Sequence, residues 1–464
     1  MALCGDYGKN VEIMRNRLRV NENFDCIEKH LKIGEGEVCF FYLDGFIKDG
    51  DLQRIMQYLL SQKNLPDADT TEMLLPYVEV SVCQSEEDAV GAVLSGQSAM
   101  LSQSFGDKVI LLDARSYPAR TTSEPDTDRV MQGAHDGFVE TLVFNTALLR
   151  RRIRDTRLTM KYHNMGGSGR TDVVICYMQG VADERTVRKV IERVEQTKPR
   201  SLTLGYRSLS ESLIRKGWLN PFPKVRITER PDAAAAQVLE GSILILCDTS
   251  PQAMIIPTSV FDYLQQTDDF YFPPLTGTYL RLVRTLILLL SMVLTPLWYL
   301  CVKHAHTLPD YLLFLLPDNP GALPIIAQLL LAEIALDGLK IASMNTPDSL
   351  TNSLSIVGAL ILGDFAVGVG WLSADVILYM AFVAIANFAQ QNNELGYALK
   401  FVRIMTLILV YFFDVWGFLI AFLALVLMLV TNKGVTGEGY LYPLVPFNFK
   451  ALMRLIFRFK KGDE

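Results

Sequence analysis

Residues that carry chemistry by themselves are scarce in this chain. Its 464 residues include five histidines and seven cysteines, and no two cysteines form a C-x-x-C pair. Cys4, Cys26, Cys39, Cys83, Cys176, Cys247 and Cys301 are dispersed and odd in number. That argues against a disulfide framework or structural zinc and fits buried thiols in a reducing compartment. His30, His135 and His163 stand alone, and His304 and His306 share one short "KHAH" stretch. No metal site and no cofactor are therefore expected. Neither a Ser-His-Asp set nor H-E-x-x-H is present, so no enzyme is expected. Basic charge is also lacking, with a net charge of −6, which excludes nucleic acid as an expected partner because phosphate binding needs a concentrated basic surface. The opening "MALCGDYGKNVEIMRNRLRV" has no apolar run of the ~7–15 residues a secretory signal needs. The N-terminal half is expected to stay in the cytosol.

Charge of either sign thins out toward the C-terminus. Residues 282–430 hold 14 charged side chains, nine acidic and five basic, about half the frequency of the whole chain. Upstream, β-rich runs such as "VCFFYLDGFI" and "KVILLDA" alternate with helical patterns such as "GDLQRIMQYLLSQ", the signature of α/β layers. "LTMKYH" and "TDVVICYMQG" predict strands, and "SILILCDTSPQAMII" a hairpin. In "ERPDAAAAQVLEG", Pro231 at the first turn, Asp232 at the positive dipole end and Gly241 as stop predict a helix. The expected organisation is a multi-domain α+β chain: α/β subdomain 1 over 1–116, a linker over 117–130, α/β subdomain 2 over 131–275, a polytopic α-helical membrane domain over 276–432, and a basic amphipathic tail over 433–464. The apolar runs allow four to six spans of ~20 residues. Arg281, Arg284, Lys340, Lys400, Arg403 and the tail cations mark the cytosolic side by the positive-inside rule, so both termini are expected inside.

Asp364 sits in "SIVGALILGDFAVGVGW" among residues that are apolar, small or hydroxylic. A carboxylate there costs ~2.5–3.5 kcal/mol even on the lenient insertion scale, so it should face protein or water. Ala359, Gly363, Ala366 and Gly370 recur at helical spacing and form a small-residue packing seam. Val357, Leu360, Asp364 and Gly368 share the adjoining face, the expected pore lining. Asp364 would form a cation-selective ring, and Val357 or Leu360 an apolar constriction. The alternatives are an ion pair with a basic residue, or a cap on a broken helix. Glu333 and Asp337, four apart, are either intramembrane acids or the wet face of an interfacial helix; the wet face is the expectation. Asp414 in "FFDVWGF" reads as a turn, "HNMGGSGRTD" as a strand connection, and "LLRRRIRD" as a solvated helix end. Lys450, Arg454 and Arg458, spaced by four among apolar residues, predict a basic helix lying on the inner leaflet of a lipid bilayer.

The stretches "RSYPARTTSEPDTDRVMQGAHDGFVETLVFNTALLRRRI", "NPFPKVRITERPDAAAAQVLEGSILILCDTSP" and "SIVGALILGD" resemble the A-subunit family of spore germination proteins of endospore-forming bacteria, from about residue 35 onward. "LGDFAVGVGWLSADVILYMAFVAIANFAQ" and "GYLYPLVPFNFKALMRLIFR" are most similar to the stage V sporulation branch of that family. Nutrient receptors carry an amide where this chain has Asp364, so nutrient sensing is not carried over. The resemblance implies a multi-pass protein of the spore inner membrane that forms a homo-oligomeric ring, a pentamer, around an ion-conducting pore. It also implies a small membrane partner protein, other germination proteins as neighbours, and a role in strengthening the ion release that begins germination. A non-conducting scaffold and a proton-coupled secondary transporter are the other readings, and no inverted repeat supports the transporter.

Overall fold

A computed structural model describes residues 3–77, 79–115, 133–167, 169–197, 199, 201–214, 220–266, 268–345, 366–390, 392–437 and 439–457. The chain divides into two units. One comprises Met1–Lys216, Val225–Thr258 and Gly434–Glu438, and the other Gly217–Lys224, Ser259–Lys433 and Gly439–Glu464.

The first unit contains two five-stranded antiparallel sheets. One is built from β1 (Cys26–Ile33), β2 (Gly36–Leu43), β3 (Val80–Cys83), β4 (Ser98–Ser102) and β5 (Val109–Leu112), in the order β1-β2-β4-β5-β3. The other is built from β6 (Leu158–Met165), β7 (Thr171–Met178), β8 (Arg226–Thr228), β9 (Ile243–Cys247) and β10 (Ala253–Ile256), in the order β6-β7-β9-β10-β8. The two orders are the same. The helices follow the same plan, with α1 (Tyr7–Leu18), α2 (Asp49–Leu60), α3 (Ala68–Leu74) and α4 (Glu86–Leu94) answered by α5 (Leu142–Arg152), α6 (Glu184–Gln196), α7 (Tyr206–Leu213) and α8 (Pro231–Leu239). Each half reads helix, hairpin, two helices, strand, helix, two strands.

The duplication extends to single hydrogen bonds. Asn10, in the first turn of α1, clasps the backbone of Cys4 through Cys4 N to Oδ1 (2.9 Å) and Nδ2 to Cys4 O (2.6 Å). Asn145, in the first turn of α5, clasps Val139 in the same way at 2.8 and 2.6 Å. The helices α4 and α8 both end on a glycine at φ +98, Gly96 and Gly241. In each, the glycine N–H returns to a valine carbonyl, Val93 or Val238, and the next N–H to the residue before that valine. This double return satisfies carbonyls the helix end leaves open.

Strand alternation sends successive residues to opposite faces, and each sheet buries both. In the first, Cys39, Phe41 and Leu43 join α1 and α4, while Val38 and Phe40 join Leu52, Ile55 and Leu59 of α2. In the second, Val174, Cys176 and Met178 join α5 and α8, while Val173 and Ile175 join Val187, Val190 and Val194 of α6. The halves meet through Arg150, which donates to both oxygens of Asp25 at 2.9 and 3.0 Å with both side chains buried. The arginine run expected as a solvated helix end is thus corrected at Arg150, whose guanidinium is needed by an acid 125 positions away.

The second unit is helical: α9 (Asp268–Tyr271), α10 (Pro274–Lys303), α11 (Ile325–Asn345), α12 (Ala374–Phe388), a helical stretch Asn393–Thr431, and α15 (Phe449–Ile456). The stretch Asn393–Thr431 is broken at Asp414, where φ is 54 and ψ −132. We name its parts α13 (393–413) and α14 (415–431), about 31 and 26 Å long at 1.5 Å per residue. They fold back on each other. A Cβ on Gly417 would lie 2.0 Å from the carbonyl oxygen of Leu409, and Leu425 packs with Leu395, Ala398, Leu399 and Val402. Lys303 fastens the bend, its Nζ 2.7 Å from Asp414 Oδ1 and 2.8 Å from Tyr411 O. Among the described residues, Pro274–Lys303 and Asn393–Thr431 are long and apolar enough to cross a membrane, with mean hydropathies of 2.1 and 2.5. α12, at 15 residues, is shorter than the ~20 a perpendicular crossing needs.

Candidate functional site

Two helices of the second unit carry opposite charges at helical spacing. α11 places Glu333 and Asp337 four apart, and α13 places Lys400 and Arg403 three apart, so each pair occupies one stripe of its helix. The stripes face each other in antiparallel register. Arg403 grips Glu333 with two donors, Nη2 lying 3.0 Å from Oε2 and Nε reaching Oε1, while Nη1 bonds Ser291 O of α10 at 2.9 Å. Lys400 Nζ bonds the Glu333 carbonyl at 3.0 Å, lies 3.5 Å from Oε2, and pairs with Asp337. A third rung follows at Lys340, which bonds Asn393 Oδ1 at 3.1 Å with its Nζ 4.9 Å from the centre of the Tyr397 ring.

Burial is graded along this ladder. Arg403 and Glu333 are 0% and 2% exposed, whereas the Asp337 side chain is 39% exposed. The outer end opens into a cavity of about 290 Å³ lined by Asp337, Lys340, Ser343, Asn387, Tyr397 and Lys400. Two acids and two bases cancel in net charge. A bidentate guanidinium–carboxylate pair with its remaining donors on backbone oxygens is the geometry that offsets the desolvation of buried ions. The arrangement clamps α11 and α13 together, and Arg403 adds α10.

Several expectations change here. The wet-face reading of Glu333 is corrected, because the acid is buried against Arg403. Lys400 and Arg403, expected as cations of the cytosolic side, are paired with Glu333 and Asp337 inside the helical unit. Arg281 and Arg284 converge on buried Asp269, with Arg284 bonding both its oxygens at 3.0 and 3.1 Å and Arg281 Nε at 3.5 Å. Counting charges along a line does not reveal a partner in space.

Val357, Ala359, Leu360, Gly363 and Asp364 lie outside the described residues. Ala366 and Gly368 lie in one helical turn, Ala366–Gly368, with Gly368 exposed. Gly370 is not on a helical seam. It has left the helix with φ +77, and its carbonyl accepts from Ala322 N at 2.8 Å. Lys450 is exposed on α15 beside exposed Phe449, and Arg281 Nη1 holds that helix through Leu455 O at 2.7 Å. Arg454 falls within α15, and Arg458 lies outside the described residues.

In the first unit, burial pushes the thiols of Cys26 and Cys247 up to about 12 and Cys83 to about 11, which keeps them protonated and unreactive at neutral pH. His30 is not isolated. It lies beside Glu28, Glu37 and Cys39 on the β1–β2 hairpin. The signal was present in "EKHLKIGEGEVC" as E-x-H and E-x-C on two alternating strands.

The sequence model of a family described as Bacillus/Clostridium GerA spore germination protein matches residues 12–462. Stage V sporulation protein AF of Bacillus subtilis (strain 168) is 37% identical over 98% of this chain and 92% of that protein. The uncharacterized membrane protein YfkQ of the same organism is 27% identical over 91% of this chain and 83% of that protein. The crystal structure of the N-terminal domain of the A subunit of the Bacillus megaterium spore germinant receptor GerK3 covers 55% of this chain and 96% of its own, at 24% identity and a TM-score of 0.41.

Proposed function

The chain belongs to the GerA family of spore germination proteins, and from that membership we propose that it is a subunit of an oligomeric ion channel in the spore inner membrane, promoting ion release during germination. In this reading α10, α13 and α14 lie in the bilayer, both termini are on the core side, and other germination proteins, with a small membrane protein among them, are partners. The proposal assigns the chain no catalytic reaction.

One observation carries it. Residues 282–430 contain five basic side chains, and all five are engaged within the unit. Arg284 pairs with Asp269, Lys303 with Asp414, Lys400 with Glu333 and Asp337, and Arg403 with Glu333, while Lys340 holds Asn393. Among the described residues four of these five cations already have an acid for a partner and Lys340 has a neutral one, which supports the reading in which Asp364 faces water between subunits. An acid repeated around an axis makes a cation-selective ring, and Val357 and Leu360 on its face would gate it by dewetting.

Liposome flux tests this. Asp364→Asn is expected to weaken cation selectivity and Val357→Ala to raise the resting leak. Unchanged currents in both variants remove this segment from the pore, and no flux from the parent protein favours the scaffold. A proton-coupled transporter has one observation in its favour, the sharing of Lys400 between Glu333 and Asp337. Uptake driven by a proton gradient and abolished by Asp337→Asn would establish it instead.

A further inference from the structure

Each sheet of the first unit carries one helical layer that the junction between the two halves does not use. The halves meet on the side of α1 and α4 in one and of α5 and α8 in the other. The core beneath α1 and α4 takes in Ala147 of α5, and the core beneath α5 and α8 takes in Phe24. The opposite sheet faces are covered by α2 and α3 in the first half and by α6 and α7 in the second. These are the two outer layers of the unit, turned away from the junction.

The outer layers are built alike and charged oppositely. Residues 49–74 hold five acids and two bases, whereas residues 184–213 hold four acids and seven bases, a net charge of −3 against +3. The contrast runs through the whole of each half, with 19 acids and 11 bases over residues 1–115, and 13 acids and 19 bases over residues 133–258. On α6 the exposed cations Arg185, Arg188 and Lys189 fall at helical spacing on one stripe. Among the described residues none of the three pairs with an acid, and on the first layer Asp49 and Glu72 pair with no base. Each layer also exposes large apolar side chains, Met73 at 86% and Leu74 at 53% on the acidic one and Leu204 at 68% on the basic one.

We propose that the acidic α2–α3 layer of one copy docks on the basic α6–α7 layer of the next copy, head to tail. The inference rests on the oligomeric reading above and is independent of conduction. Three features make a second copy the occupant. The two charges match in size and oppose in sign, so unlike layers attract and like layers repel. The layers lie on the far sides of the unit, so every copy offers both surfaces, and a heterologous contact of this kind closes into a ring where its rotation allows. Apolar side chains set among charges give each layer the make-up of a contact with a desolvated centre and a polar surround.

The test uses the full chain in detergent, with the partly exposed Cys4, Cys83 and Cys301 replaced by serine. Met73→Cys and Glu192→Cys then put one thiol on each layer, to be joined by a short bismaleimide. We expect a ladder of covalent multimers from the chain carrying both substitutions and monomer from chains carrying either one, because a head-to-tail contact never apposes two copies of one layer. Reversing the stripe with Arg185→Glu, Arg188→Glu and Lys189→Glu should cut the ladder about tenfold or more. Asp49→Lys with Glu72→Lys should do the same. A chain carrying both reversals should recover the ladder, as should a mixture of the two singly reversed chains, and that recovery shows that neither reversal unfolds the unit. A ladder from a single-thiol chain, none from the two-thiol chain, a reversal without effect, or no recovery on combining the reversals overturns the proposal. Native mass separates the two levels. A monomer removes the oligomeric reading together with this contact, and a multimer without the ladder removes the contact alone.

Discussion

At the scale of single residues, the helical unit depends on matched burial of opposite charges. Removing one partner of a buried ion pair leaves an uncompensated charge and costs about 3–5 kcal/mol, whereas replacing both by apolar groups of similar volume is often neutral. Glu333→Gln and Arg403→Gln are each expected to lower the thermal midpoint of the detergent-solubilised protein by that measure. The double variant Glu333→Leu with Arg403→Met should recover most of the loss, and additive losses would show that the pair is not coupled. The sequence disclosed that Glu333 and Asp337 share a helical face, but it could not disclose what the face meets. The clue was a second apolar helix, with Lys400 and Arg403 at matching spacing and opposite sign. His30 was missed for the same reason, since strand partners nine residues apart come together only through register.

Elements were far more legible. The strands expected over 158–163 and 171–180 are found at 158–165 and 171–178, and the hairpin β9–β10 and the helix from Pro231 to Leu239 stand where they are expected, because alternation, turn formers and caps are local properties of the chain. The expected turn near Asp414 is a true reversal, and its tightness rests on Gly417. Gly417→Ala forces a Cβ into the Leu409 carbonyl, so α13 and α14 must separate. We expect a loss beyond the roughly 1–3 kcal/mol usual for overpacking, read as a lower unfolding temperature and as new protease sensitivity near residue 414. Wild-type stability in this variant would mean that the two helices do not pack back to back. Gly370 falls outside the expected seam for a complementary reason. Small residues at helical spacing signal a close approach only while the helix lasts, and this one ends at Gly368.

At the scale of the whole molecule, the mixed α/β first unit was readable and its twofold plan was not. The halves share strand order, Asn10 and Asn145 clasps and Gly96 and Gly241 caps, but few residues, and topology is invisible to a scan for similar letters. The assembly is a separate question at this scale. Native mass spectrometry of the detergent-solubilised protein is expected to give an integer multiple of the chain mass, five copies for the proposed ring; a monomer or dimer would return the argument to the transporter. Duplication itself has a lasting consequence. A scaffold written twice can vary in one edition what the other keeps, so the hairpin carrying Met160 and Val174 shows, within a single chain, which side chains the strand pair at Glu28 and Cys39 can exchange without losing its register.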